Sequence, residues 1–122
     1  MQIAKKSLNP SSKMVLNLSF QNLKNFEDFS KFKNLIELDV SGNGCKEQIR
    51  GLEGLRFLRK FTGSFNQISQ APELPNSIEH LSLNNNLISN ITPILTLPLL
   101  ISLNLSNNLI KQVSSLKSLQ NL

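Results

Sequence analysis

In three stretches of the chain, Leu38/Val40, Leu81/Leu83 and Leu103/Leu105, every second residue is apolar. A period of two predicts short β-strands with one face turned inward. Between the strands the period lengthens to three. Leu23, Phe26, Phe29, Phe32 and Leu35 follow it, as do Ile88, Ile91, Ile94, Leu97 and Leu100, and then Ile110, Val113, Leu116, Leu119 and Leu122. Three residues per turn is the repeat of a 3₁₀-like return, so the chain is expected to alternate strand and tight return.

Both periods belong to one larger repeat. LISLNLSNNLI (residues 100–110) aligns with IEHLSLNNNLI (78–88), LRKFTGSFNQI (58–68), LIELDVSGNGC (35–45) and KMVLNLSFQNL (13–23). Starts at 13, 35, 58, 78 and 100, with Leu122 opening a sixth copy, are spaced by 22, 23, 20, 22 and 22 residues. A fixed period of this length means stacked strands in a parallel sheet, in which no unit buries its apolar face alone. Asn43, Asn66, Asn86 and Asn108 hold one template position, and Gln21 supplies the amide in the first copy. Where each strand turns, buried backbone groups need partners, and an amide side chain both donates and accepts. These five residues are expected to stack as a structural ladder.

On these motifs residues 13–122 resemble the leucine-rich-repeat family, five LxxLxLxxN units in register. The resemblance implies an α/β solenoid: a horseshoe with a short parallel sheet on its concave side and 3₁₀, helical or extended returns on its convex side. Residues 1–12 do not match and are assigned to an N-terminal segment, a cap or disordered. The period-three returns are similar to the 22-residue class of type-1 protein phosphatase regulatory subunits and of ciliary and RNA-processing proteins. The third unit differs. SQAPELPNS (69–77) is two residues shorter and carries Pro72 and Pro75, which favour an extended return; it resembles the LPxLP units of bacterial effectors. The family implies a non-catalytic scaffold that binds a macromolecule on its concave face, such as a regulatory or cytoskeletal/ciliary subunit. The alternative is the targeting arm of a larger enzyme, for example a bacterial effector ubiquitin ligase.

Strand side chains that do not point inward line the concave face. Their columns run Val15, Glu37, Lys60, His80, Ser102; then Asn17, Asp39, Thr62, Ser82, Asn104; then Ser19, Ser41, Ser64, Asn84, Ser106; and Phe20, Gly42, Phe65, Asn85, Asn107. Charge and aromatics gather toward the N-terminal and middle units, and small polar residues fill the last two. A partner-binding site is therefore expected at Phe20, Glu37, Asp39, Lys60, Thr62, Phe65 and His80, since aromatics are the usual interface anchors. Leu87 and Leu109, each following a ladder asparagine, form a second candidate patch. The bland readings are aromatics folded back as packing and a solvated charged row.

Composition excludes more than it adds. Nothing in the chain reads as a phosphate-cradling glycine loop, a metal-ligand cluster or a nucleophile with its base, so no enzyme activity, cofactor or metal is expected. His80 stands alone as the only histidine, which excludes a multi-histidine metal site. The net charge of +5 comes from dispersed lysines and arginines, and neither Trp nor Tyr is present to stack bases, so a protein partner is expected over nucleic acid. No stretch reaches the roughly 18 apolar residues of a spanning helix, and no membrane association is expected. The lone Cys45 occupies an inward template position; with no partner for a disulfide it points to a reducing compartment, hence a cytoplasmic protein. The N-x-S/T triplets at Asn17, Asn90 and Asn104 follow from the Asn- and Ser-rich repeat, with Asn17 and Asn104 on strands; Asn90-Ile91-Thr92 alone is loop-like and keeps glycosylation as the alternative there. The sequence ends as a sixth unit begins, which suggests a longer chain, a covering partner or self-association at that edge.

Overall fold

The computed structural model describes Ser12 and residues 14–111. The five strands are β1 (Val15–Asn17), β2 (Glu37–Asp39), β3 (Lys60–Thr62), β4 (His80–Ser82) and β5 (Ser102–Asn104). They form one parallel sheet in chain order, and equivalent template positions pair across it: Leu16 with Leu38, Leu38 with Phe61, Phe61 with Leu81 and Leu81 with Leu103. Adjacent copies therefore stack without slip, because a one-residue shift would turn the apolar set outward.

The inward residues of the strands and the period-three residues of the returns make a single core. In three returns the spacing is matched by backbone hydrogen bonds three residues apart. Phe32 N–H donates to Phe29 O at 3.0 Å and Leu35 N–H to Phe32 O at 3.1 Å; Leu55 bonds to Leu52, Leu58 to Leu55, Ile94 to Ile91 and Leu97 to Ile94 in the same way. Each apolar residue is thus both a buried side chain and a hinge point of a 3₁₀-type turn. Regular 3₁₀ segments are Phe29–Lys31 and Thr92–Ile94, and among the described residues no return contains an α-helix. The proline-bearing third return runs extended as far as Pro75, with Gln70 bridging to Asn90 in parallel fashion.

One unit solves its packing differently. Phe61 fills the position taken by leucine in the other strands, and Gly63 stands where Leu18, Val40, Leu83 and Leu105 stand elsewhere. A methyl group on Gly63 would lie 3.2 Å from both the Phe61 ring and the Leu83 side chain. The large ring and the missing side chain compensate each other in volume. Cys45 is buried as expected, its Sγ 3.4 Å from Glu47 O. Burial raises the thiol pKa and opposes thiolate formation.

Burial weakens at the last strand. Leu81 and Leu83 are enclosed, whereas Leu103 and Leu105 are only partly covered. The expected return through Val113, Leu116, Leu119 and Leu122, the sixth unit, and the first 11 residues lie outside the described part of the chain.

Candidate functional site

The asparagines fix the loops at the ends of the strands and so position the rim of the concave face. Asn66 illustrates the geometry. Its Oδ1 accepts N–H groups of Asn43 (3.1 Å) and Cys45 (3.0 Å) in the preceding unit, and its Nδ2 donates to Val40 O, Gly63 O and Ser64 O. Asn43 binds Gln21 N–H and Leu23 N–H in the same manner, while Asn86 takes Ile68 N–H and Asn108 takes Ile88 N–H. Each rung therefore serves two units, and these carbonyls and amides find partners away from water.

Gln21 departs from the expected ladder. It is exposed, and its backbone N–H, not its side chain, meets Asn43. In the other units the rung side chain bonds both to its own turn and to the unit before it, and residues 1–12 do not carry the repeat template.

The turn at each strand end puts the residue before the ladder position in the left-handed region. Phe20 (φ 54°), Gly42 (69°), Phe65 (56°), Asn85 (61°) and Asn107 (59°) share it. Glycine and asparagine adopt this conformation readily; a bulky L-residue pays roughly 1–2 kcal/mol. Neither phenylalanine recovers this by burial, since Phe20 is 73% and Phe65 54% exposed. The Phe20 ring lies over Gly42, where any side chain would collide with it. Glycine at 42 thus gives the ring its seat.

On the sheet itself Glu37, Asp39, Lys60 and Thr62 line one shallow depression of about 130 Å³. Glu37 and Lys60 are Cα partners across β2 and β3, as are Asp39 and Thr62. Asp39 has a second task, its Oδ1 accepting Ser41 N–H at 2.9 Å. His80 is half-buried on β4, beside Lys60 but outside that depression. Leu87 and Leu109 lie farther along the strand-end loops, 47% and 55% exposed.

Asn17, Asn90 and Asn104 explain the N-x-S/T triplets. In each, Asn Oδ1 accepts both the backbone N–H and the hydroxyl of the residue two places on: 2.9 and 2.6 Å for Asn17, 3.0 and 2.6 Å for Asn90, 3.1 and 2.7 Å for Asn104. These Asx turns close strand ends and a return, so the triplet has a local structural use.

The residue patterns pointed to the concave face and overlooked the opposite rim. Met14, Asn34, Ile36 and Phe57 surround an apolar recess of about 370 Å³ at the strand starts. Its signal was available in the residues flanking each unit's first template position. Next along that edge, Arg59 and Glu79 form a 2.8 Å ion pair. The shared hydrogen bond holds the Glu79 carboxyl below its ordinary pKa and raises that of Arg59.

No family model and no curated protein matches the chain. Solved structures do. An internalin (inlF) of Listeria monocytogenes superimposes with a TM-score of 0.67 at 25% identity, covering 76% of this chain and 28% of the internalin. Internalin C2 of the same organism gives 0.62 and 25%, covering 82% and 54%. A Leptospira interrogans leucine-rich-repeat protein gives 0.51 and 25%, covering 93% and 37%. The chain spans between about a quarter and just over half the length of these structures. With the sheet and ladder above, they place its fold among leucine-rich-repeat solenoids.

Proposed function

We propose that this leucine-rich-repeat solenoid is a non-catalytic scaffold that binds a protein partner on the concave face of its first three units. One observation carries the reading. Phe20 and Phe65 hold left-handed backbone conformations while more than half of each residue stays exposed, near a charged depression, and a strained residue whose ring is left largely uncovered supports a use outside the folded chain. Glu37, Asp39, Lys60 and Thr62 form the polar floor of the contact, His80 extends it, and Leu87 with Leu109 adds a second patch farther along the rim. The solenoid neighbours support an interaction role in general terms.

The finer assignment is a subunit of a cytoplasmic regulatory or cytoskeletal/ciliary complex. Its support is the single buried Cys45, a residue suited to a reducing compartment. The period-three hydrogen bonding of the returns supports the 22-residue class, and Pro72 and Pro75 support an LPxLP-like third unit.

Affinity purification of the full-length protein from its own cell tests the reading, with Phe65→Ala combined with Asp39→Asn as the comparison. Asparagine preserves the acceptor for Ser41 N–H and removes the charge. Partners recovered with the wild type are expected to be lost from the variant. Unchanged recovery would place the contact elsewhere.

A further inference from the structure

The two strained phenylalanines differ from the chain's other accessible aromatic in one respect. Phe57 has the Arg56 guanidinium 5.2 Å from its ring centroid, and even the buried Phe32 has Lys31 at 5.9 Å. Phe20 and Phe65 carry no such cation and no aromatic neighbour among the described residues. The same holds for the nearby carboxylates. Glu37 and Asp39 form no ion pair within 4 Å among the described residues; Lys60 faces Glu37 across the strands in the same depression, Arg59 feels the Glu37 charge, and one Asp39 oxygen accepts Ser41 N–H, which leaves the carboxylates only partly answered.

The two unfilled demands lie within reach of one ligand. Asp39 precedes Gly42 by three residues, about 10 Å along an extended chain, and the Phe20 ring covers Gly42. A partner that lies across both the rings and the depression dehydrates the carboxylates, and a poorly compensated buried charge is costly. A partner that is purely apolar or acidic leaves that cost unanswered. A cationic side chain answers it twice, through the carboxylates and through the faces of the rings.

Resting on the concave-face reading above, we propose that Phe20, Phe65, Glu37 and Asp39 form a recognition site for an extended peptide segment. That segment carries an arginine or lysine next to an apolar side chain. The cation sits against Glu37 and Asp39, and the apolar neighbour lies on the rings. Because the chain's net charge of +5 opposes basic partners at long range, selection is local and the segment is short and not a broadly basic domain.

Panning a phage-displayed random peptide library against the folded chain tests this directly. The expected outcome is enrichment of sequences with Arg or Lys beside Leu, Ile, Phe or Met. A selected peptide, resynthesised, loses roughly tenfold or more in affinity to Glu37→Gln/Asp39→Asn, as loss of charge-assisted contacts requires. Replacing Phe20 and Phe65 by asparagine, the residue of the fourth and fifth units, lowers affinity while raising the thermal midpoint. A purely structural role for the rings would lower both. Peptides of acidic or uncharged consensus that still depend on Phe20 and Phe65 would overturn this inference and leave the concave-face scaffold standing. Peptides whose binding is indifferent to all four residues would overturn both.

Discussion

At the residue before the ladder position of the template, the first three units carry Phe20, Gly42 and Phe65, and the last two carry Asn85 and Asn107, all with φ between 54° and 69°. The last two use the residue type that this backbone favours. The first three set two exposed rings around a glycine, at a conformational cost. The strands between show the same division. Glu37, Asp39 and Lys60 face the concave side in β2 and β3, whereas serine and asparagine fill β5. Repetition fixes the backbone of a solenoid, so departures from the easy residue are informative about use. The front of this molecule departs and the back does not.

Substitutions that attack the shared frame are expected to have the largest effect. Asn66→Ala strands the N–H groups of Asn43 and Cys45 near the centre of the ladder and takes one of two donors from each of three carbonyls; it is expected to cost about 3 kcal/mol in chemical denaturation. Asn108→Ala, in a partly exposed rung, is expected to cost about 1 kcal/mol. Equal losses would mean that burial does not set the strength of a rung.

Gly42→Ala comes next. It places a methyl group against the Phe20 ring and a Cβ on a left-handed backbone, for an expected loss of about 1–2 kcal/mol. Adding Phe20→Ala should recover the steric part and leave the conformational part, so the double-mutant cycle is non-additive. Strict additivity would show that the ring does not rest on Gly42.

Exchanging residues between front and back gives a smaller effect of opposite sign at the two ends. Phe65→Asn is expected to stabilise the fold by up to about 1 kcal/mol, and Asn85→Phe to destabilise it by a similar amount. Thermal unfolding of the pair reads both. A destabilised Phe65→Asn would mean that the ring contributes packing to the folded chain.

The smallest effect belongs to the Arg59–Glu79 pair. Glu79 has its folded pKa depressed below the ordinary 4.5, chiefly by the Arg59 hydrogen bond. A depressed value contributes stability above the unfolded pKa that is lost as pH falls through the folded one. Below about pH 4.5, wild type should therefore lose slightly more stability than Glu79→Gln. Both groups face solvent, so salt should shrink the difference.

The frame was legible in the sequence because each of its devices has its own period. Alternation in Leu81 and Leu83 marks a strand, three-residue spacing in Phe26, Phe29 and Phe32 marks a return, and the recurring Asn43, Asn66 and Asn86 mark the turn between. Gln21 shows where pattern misleads: it occupies the template position, but its backbone N–H and not its side-chain amide meets Asn43. The columns also placed Phe20 and Phe65 on one face without revealing their strain, because φ is imposed by the turn and not by the residue. Nor did they show that Asp39 doubles as a cap for Ser41. That role depends on the local turn, which a column of facing residues does not record.

Whether the front units carry the contact is decided by the affinity of a purified native partner for two paired variants. Phe20→Asn/Phe65→Asn alters the front while keeping its backbone conformation, and Ser82→Ala/Ser102→Ala alters the back. The expected result is a loss of roughly tenfold or more for the front pair and less than about twofold for the back pair. Equal losses, or a larger loss from the back pair, would contradict it.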